Sequence, residues 1–347
     1  MDTLILNLLN PLSTVLLAII IVGMLYVLGK GADILVDEAV SLSIHWGLPK
    51  MVIGATIVSL GTTLPETTVS VMAALKGNAD LALGNAIGSI IADTGLIIGL
   101  AALIGYLPVD RVTVKRQGKI QIAAGILLAI VCIPFNMKGH GNISQWMGWI
   151  FLGLLIIYIF FSIKWAKMPL LDTKNEHKTK KANSILKEDK STLPIQVIKL
   201  FGGMLLVIGA SKILIPAVEI TAVRIGIPQS IIAATLVALG TSLPELVTAI
   251  TAVRKGHGEL AVGNIVGADI LNVLFVVGSA AAVTRGGLNV PLDFYKLQIP
   301  TMLLILFAFR LFTRKDNERI SKIEGLVLLN IYIVYVVLCY TWLLVKN

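Results

Sequence analysis

Six residues in the middle of an apolar run, Gly61-Thr62-Thr63-Leu64-Pro65-Glu66, recur as Gly240-Thr241-Ser242-Leu243-Pro244-Glu245. Each copy sits in a stretch long enough to cross a bilayer. A carboxylate, two hydroxyls and a helix-breaking proline are out of place in hydrocarbon unless they line something polar. An unpaired acid at that depth costs roughly 2.5–3.5 kcal/mol even on the lenient insertion scale. The same costly arrangement, made twice at the same depth, points to a site that two halves share.

The rest of the chain is built for lipid. Of 347 residues, 56% are hydrophobic and 14% charged, and the mean hydropathy is +0.88. A soluble domain carries about 25% charged residues, so the composition describes an integral membrane protein with no long soluble domain. The run from Met1 to Leu28 lacks a basic start and a small-residue cleavage site, and reads as a retained first transmembrane helix. The net charge of +9 comes from lysines in loops. No basic groove with interleaved aromatics accompanies it, so no nucleic-acid partner is expected. Cys132 and Cys339 lie in apolar segments without CxxC or Cys/His spacing, and read as packing residues.

Apolar runs of about 20 residues mark the spans. Ten are expected, over 11–43, 48–75, 80–104, 117–136, 146–166, 193–224, 227–254, 259–284, 296–313 and 321–344. The fold class is therefore all-α, with a first five-helix repeat over 1–166, a hydrophilic linker over 167–192 and a second repeat over 193–347. The halves align at a constant offset of 179 residues. Gly47-Leu48-Pro49 meets Gly226-Ile227-Pro228, Ala55-Thr56 meets Ala234-Thr235, Lys76-Gly77 meets Lys255-Gly256, and Gly84-Asn85 meets Gly263-Asn264. About 19 of the 46 positions from Gly54 to Gly99 are identical. Five is odd, so duplicated halves of five spans must sit in opposite orientations, the plan of many secondary transporters. Lys and Arg collect in the loops after odd-numbered spans, including Lys167, Lys174, Lys178, Lys180, Lys181, Lys187 and Lys190 in the linker. This puts the linker in the cytoplasm and both termini outside.

On a helix, Ser59, Thr62, Thr63, Glu66 and Ser70 share one face, and their counterparts are Ala238, Thr241, Ser242, Glu245 and Ala249. Pro65 and Pro244 deprive the carbonyls of Gly61 and Gly240 of helical partners. Asn85, Ser89 and Asp93 line a face of the third span, matched by Asn264, Ala268 and Asn272 in the eighth. Gly84 and Gly88, like Gly263 and Gly267, allow close approach and are expected to bring the third span against the second. All these ligands are hard oxygens, suited to Na⁺ or Ca²⁺ rather than to a soft metal. Asp269 reads either as an ion-path residue or as a polar contact near the membrane face. Asp80 and Glu259 read as helix-start residues. Lys30, Asp33, Asp37 and Glu38 read as a Lys30–Asp33 pair facing the other bundle, or as charges near a tilted helix end. Lys212, Glu219 and Arg224 read the same way.

These motifs resemble the cation/Ca²⁺ exchanger superfamily, and most closely the prokaryotic Na⁺/Ca²⁺ exchangers. Members carry two inverted repeats, each with a G-T-S-x-P-E-like and a later G-N-x-x-G-S-N-like stretch. Here these are Gly61–Glu66 with Gly84–Ser89, and Gly240–Glu245 with Gly263–Asp269. The resemblance implies four central cation sites, with ligands at Glu66 and Glu245, hydroxyls at Thr62, Thr63, Thr241 and Ser242, and backbone carbonyls near Ser59 and Ala238. It also implies that spans one and six slide against the other eight. The chain departs from the pattern at Ile90, Asp269 and Ala268, and carries its third acid at Asp93 rather than at Asn272. Asn272 weakly disfavours K⁺ co-transport, and the motifs of H⁺/Ca²⁺ relatives are absent. The expected function is secondary exchange of Na⁺ for Ca²⁺, with H⁺ coupling at the same acids as the alternative. No nucleotide loop, cofactor, catalytic group or obligatory protein partner is evident. A channel or an intramembrane enzyme fits less well, since no nucleophile–base pair or metal-binding histidine lies at depth.

Overall fold

A chain in lipid must satisfy its backbone internally, and the computed structural model is accordingly helical almost throughout. It describes residues 2–109, 111–133, 141–166, 193–225, 240–314 and 319–346. The elements are α1 Asp2–Leu9, α2 Thr14–Trp46, α3 Lys50–Thr62, α4 Leu64–Leu75, α5 Ala79–Ile104, α6 Arg111–Cys132, α7 Gln145–Ala166, α8 Leu193–Arg224, α9 Leu243–Arg254, α10 Gly258–Val283, α11 Phe294–Arg314 and α12 Lys322–Lys346. Among the described residues seven helices are long and apolar enough to cross a membrane: α2, α5, α7, α8, α10, α11 and α12 up to Cys339. The protein is a multi-pass membrane protein.

The 48–75 run is two helices, α3 and α4, rather than one. The 117–136 run is described up to residue 133, chiefly as α6, and the 227–254 run from residue 240 onward, chiefly as α9. The linker, Ala238, and the matches at Gly226-Ile227-Pro228 and Ala234-Thr235 lie outside the described residues. The first 28 residues are not one helix. Asn10 and Pro11 separate α1 from α2, whose first turn is capped by Ser13 Oγ accepting from Leu16 N at 3.3 Å.

α2 and α8, with 33 and 32 residues, are close to 50 Å long at about 1.5 Å per residue, well past the ~30 Å hydrocarbon. They pack on each other where Gly31 and Gly203 bring the backbones together. A Cβ at either would lie about 3 Å from the other's carbonyl oxygen, at 3.1 Å and 2.9 Å. Their apolar contacts, Leu28 and Ala32 on Val207, Ala210 and Leu214, form a cluster separate from the main core. At one end Lys199 pairs with the buried Glu38 at 3.4 Å. At the other, Arg224 donates to the carbonyls of Asn10 and Leu12, both at 2.6 Å.

α10 is the most deeply buried of the long helices and holds the main core together. Gly263 and Gly267 do allow close approach, but to α3 of the other half. A methyl at Gly263 would meet the Met51 carbonyl and, at 2.8 Å, its Cα. One at Gly267 would meet Ala55 Cα at 2.5 Å and Ser59 Oγ at 2.6 Å. Gly84 and Gly88 make no such approach among the described residues, the nearest atom to a Gly84 Cβ being Phe294 Cζ at 3.7 Å.

Short antiparallel ladders, unannounced by the apolar pattern, tie the halves together. β1 (Leu107–Pro108) pairs with β4 (Arg319–Ile320), and β2 (Gly141–Ile143) with β3 (Leu288–Val290). The 179-residue offset carries Gly141 onto Ile320 and Pro108 onto Gly287, beside β3, so one pairing is made twice. β1 touches Gly258 at the start of α10, whereas β3 follows its far end and packs on α5. The equivalent helices α5 and α10 thus run in opposite directions. The duplicated Lys-Gly turns also share a backbone: Gly77 and Gly256 have φ of 76° and 77°, a left-handed helix stop that favours glycine.

Charges gather beside one of these turns. Lys255 bonds both Asp37 oxygens at 2.8 Å and Asp33 Oδ1 at 3.2 Å, which joins α2 to the turn after α9. The expected Lys30–Asp33 pair is not formed. Lys30 lies 5.8 Å from the centre of the Tyr26 ring instead. Lys50 Nζ donates to His257 Nδ1 at 3.1 Å. Asp80 and Glu259 do lie in first helical turns, but the cap on α5 is Asn78, accepting from Leu81 N at 3.0 Å.

Two outcomes follow from this packing. Gly263→Ala forces a methyl into backbone atoms that cannot yield, and is expected to lose about 1–3 kcal/mol. Gly153→Ala, with nothing within 4 Å among the described residues, is expected to melt like the parent in detergent. Burial and then the Lys50 charge hold the His257 imidazole below its ordinary pKa. The unfolded chain therefore takes up this proton first, and the stability His257 contributes is lost as pH falls below the ordinary imidazole range. His257→Asn should flatten the fall in melting temperature between about pH 7.5 and 5.5.

Candidate functional site

The motif proline starts a helix rather than merely bending one. Thr63 closes α3 with φ −80° and ψ −1°, and Pro65 falls in the first turn of α4, where its missing N–H costs nothing. Ser242 (φ −86°, ψ 9°) and Pro244 repeat this ahead of α9. Glu66 and Glu245 consequently sit in first helical turns, where the helix dipole favours a carboxylate. The motif glycines make room for α8: Met204 lies against Gly61 and Ile215 against Gly240.

The two motifs bond each other crosswise. Ser242 Oγ donates to Glu66 Oε1 at 3.3 Å, and Thr63 Oγ1 to Glu245 Oε1 at 3.5 Å. One step outward the pattern repeats with α5 and α10. Thr62 Oγ1 donates to Asn264 Oδ1 at 3.4 Å, and Thr241 Oγ1 to Asn85 Oδ1 at 3.0 Å. Each of these pairs is carried onto its partner by the 179-residue offset. Glu66, Glu245, Thr62, Thr63, Ser242, Ser59 and Ser89 are all buried, and Thr241 is half-buried. Ser59 O, an expected carbonyl ligand, is occupied by Thr63 N at 2.9 Å and lies 3.3 Å from Thr62 Oγ1.

Asp93 and Asn272 are equivalent positions, and each opens a widened π-type turn, over Asp93–Ile97 and Asn272–Val277. Such turns gather at functional sites because they re-aim side chains and loosen backbone bonds. Both residues are 1% exposed. Neither oxygen of Asp93 has a hydrogen-bond partner, and Asn272 Oδ1 has none. Ser242 lies beside Asp93, but its bonds go to Glu66 and to Ser89 Oγ at 3.1 Å.

Departures from the two-fold plan have local causes. Asn85 Nδ2 donates to Glu66 O at 3.1 Å and Ser70 Oγ at 2.9 Å. Asn264 Nδ2 has no partner, since Ala249 stands where Ser70 would be. Thr63 likewise lacks a match for Ser89, because α10 carries Ala268 there.

Asp269 is held apart from the glutamates. Its Oδ2 accepts from Thr94 Oγ1 and from Gln121 Nε2, each at 2.5 Å. It is 2% exposed, a buried polar contact between the halves. Gln121 and Thr94 were not among the sequence candidates. The signal is the pair Gln117 and Gln121, four apart on one helix face where the polar start of α6 gives way to an apolar run.

Glu66 faces Glu245 and Asp93, and Asp93 faces Glu245 and Asp269, so the four acids share one electrostatic neighbourhood. Among the described residues no Lys, Arg or His is buried with them. No three His, Cys, Asp or Glu side chains among those residues converge tightly enough to hold an ion alone. An ion position here has to combine one or two carboxylates with hydroxyl and amide oxygens.

A crossed set of oxygen donors and acidic groups, closed in by helices and free of buried cations, belongs to the class of membrane cation exchangers. The family model for sodium/calcium exchanger protein matches twice, over residues 16–164 and 195–341. Inner membrane protein YrbG of Escherichia coli (strain K12) is 33% identical over 332 residues, covering 94% of this chain and 97% of that protein. Sodium/calcium exchanger MaX1 of Methanosarcina acetivorans is 29% identical over 364 residues, covering 94% and 99%. Solved structures of the sodium-calcium exchanger NCX_Mj share the fold, with a TM-score of 0.78 at 24% identity over 94% of this chain and 99% of that one. The chain belongs to the sodium/calcium exchanger protein family.

The outer crossed pair offers a test of this geometry that needs no transport. Asn85→Ala and Thr241→Val should be non-additive in ion-free thermal unfolding, with a coupling of about 0.5–1.5 kcal/mol. The pair Asn330→Ala and Thr241→Val, on helices without a shared bond, should simply add.

Proposed function

We propose that the protein is a secondary antiporter exchanging Na⁺ for Ca²⁺ by alternating access. Ten spans form two inverted five-helix repeats, 1–166 and 193–347, joined by a cytoplasmic linker over 167–192, with both termini outside. The ligands are Glu66, Glu245, Asp93, Asn272, Thr62, Thr63, Thr241, Ser242 and Ser89, with carbonyl oxygens near Ser59 and Ala238. The observation that carries the reading is the crossed bonding of Thr63 to Glu245 and Ser242 to Glu66. It brings a carboxylate and a hydroxyl from each half to one place.

The chemistry follows from what the ions need. Ca²⁺ takes six to eight oxygens, and carboxylates are its strongest ligands. Each glutamate has one oxygen held by a hydroxyl and one with no partner, Oε2 in both cases. An entering cation takes the free oxygens and gains the hydroxyl oxygens, whose protons turn aside. Na⁺ ions satisfy the same carboxylates, so the two cargoes compete. A loaded site is neutralised and can be closed off from water, whereas an empty one keeps its charge and stays wetted. Obligatory exchange follows from that difference. H⁺ at the same acids is the rival driver, because a carboxyl group as deeply buried as these can hold a proton in place of a metal ion.

Proteoliposomes loaded with Na⁺ are expected to take up ⁴⁵Ca²⁺ when diluted into Na⁺-free buffer. Glu66→Gln should slow the uptake at least about tenfold, equivalent to ~1.4 kcal/mol. Uptake driven by a pH gradient without Na⁺ would replace Na⁺ by H⁺ in this scheme. Uptake unaffected by Glu66→Gln would remove the site from it altogether.

A further inference from the structure

From the polar groups that the crossed site leaves unused, we infer that Asp269 and Gln121, with Asp93, form a separate position for a monovalent hard cation, Na⁺, on the α6 side of the glutamates. The inference goes beyond the exchange reading, because it adds α6 to the ion-binding helices and a fourth acid to the charge count.

Four observations carry it. Asp269 Oδ1 and Gln121 Oε1 have no hydrogen-bond partner, although the other polar atoms of the same two groups are bonded to each other at 2.5 Å. The two free oxygens are therefore held on a fixed frame, further fixed by Thr94 Oγ1 on Asp269 Oδ2. Both side chains are almost wholly buried, Asp269 at 2% and Gln121 at 1% exposure. Unsatisfied oxygens at such depth are costly unless something fills them. Asp93 adds two more unpartnered oxygens and faces Asp269 closely enough to repel it.

The frame exists once. The 179-residue offset carries Asp269 to Ile90, Gln121 to Pro300 and Thr94 to Val273, all apolar. The duplication did not supply this pocket. It draws Gln121, Thr94 and the half-specific acid Asp93 from the first half and Asp269 from the second. The ligand type sets the ion. Oxygen donors exclude a soft metal. One amide and two acids, one of them already holding two donors, fall short of the coordination Ca²⁺ requires. A singly charged ion relieves the repulsion between the two aspartates and leaves the glutamates free for the divalent cargo.

Equilibrium binding of ²²Na⁺ and ⁴⁵Ca²⁺ to the purified full-length protein tests this apart from transport. Asp269→Asn and Gln121→Leu should each lower saturating ²²Na⁺ by about one ion per chain, with bound ⁴⁵Ca²⁺ unchanged. Gel filtration and melting curves identify variants that fold, and Gln121→Leu decides the matter if Asp269→Asn does not. An unchanged ²²Na⁺ count in the folded variants overturns the proposal. So does an equal loss of ⁴⁵Ca²⁺, which would merge Asp269 with the central site. So does an unchanged Na⁺ count with altered pH dependence, which would make Asp269 a proton carrier. Failure of the exchange reading looks different: parent vesicles show no gradient-driven ⁴⁵Ca²⁺ flux, while the ²²Na⁺ count still decides this pocket.

Discussion

Everything at the centre of this protein depends on burying carboxyl groups among helices with no basic side chain buried beside them among the described residues. Glu66 and Glu245 are each 1% exposed. Their side-chain hydrogen-bond donors among the described residues come from the opposite half: Ser242 for Glu66, and Thr63 with Thr62 beside it for Glu245. Among the described residues neither half supplies a side-chain donor to its own acid. This couples the halves more specifically than apolar packing does, because a lost donor leaves a buried charge bare. Further crossings in the fold repeat the exchange. Asn85 and Asn264 accept from the other half's threonine, and each β-ladder joins a strand of one half to a strand of the other.

The close approach of α10 to α3 makes this possible. Hydroxyls reach across only if the backbones nearly touch, and Gly263 and Gly267 remove the side chains that would hold them apart. Two helix starts then face each other across the gap, each bringing a proline, a hydroxyl and a glutamate in the same order. α2 and α8 sit outside this arrangement with apolar clusters of their own. They touch the motif glycines through Met204 and Ile215, both on α8. Polar ties between the pair and the main body include Lys255 on Asp33 and Asp37.

Much of this was legible in the sequence because polar residues duplicated in apolar runs are costly unless they line a polar site. Glu66, Thr63, Ser242 and Glu245 could be named, and their convergence is what the structure contains. Their crossed bonding could not be named, since helical spacing places residues on a face but does not say which helix the face meets. The glycines illustrate the same gap. Gly263 and Gly267 read correctly as close-contact positions, with α3 as a partner the spacing does not name, whereas Gly84 and Gly88 make no such approach among the described residues. Lys30 and Asp33, three apart on one helix, suggest a local pair, but Lys255 engages Asp33 and Asp37 at once. In sequence the proline reads as a helix breaker, whereas its position in the first turn makes it a beginning. The hydrophilic linker and Ala238 lie outside the described residues. Gln117 and Gln121 are four apart, but beside Arg116 and Lys119 they read as the polar start of a span until the partner of Gln121 is known.

The differences between the halves carry as much information as the repeats. The oxygen frame of Glu, Thr/Ser and Asn is kept on both sides and holds whatever the site binds in register with the pseudo-two-fold. Charge is not kept. Asp93 faces Asn272, and Asp269 has only Ile90 as counterpart, so both unmatched acids, though one lies on each half, gather on the α6 side. Ser89 and Ser70, which have given way to Ala268 and Ala249, add bonds around Glu66 that Glu245 lacks. A symmetric pair of carboxylates would present the same field to an ion from either side. Adding two acids to one side tilts that field, and so distinguishes ions by charge and position inside a frame that geometry alone would leave symmetric.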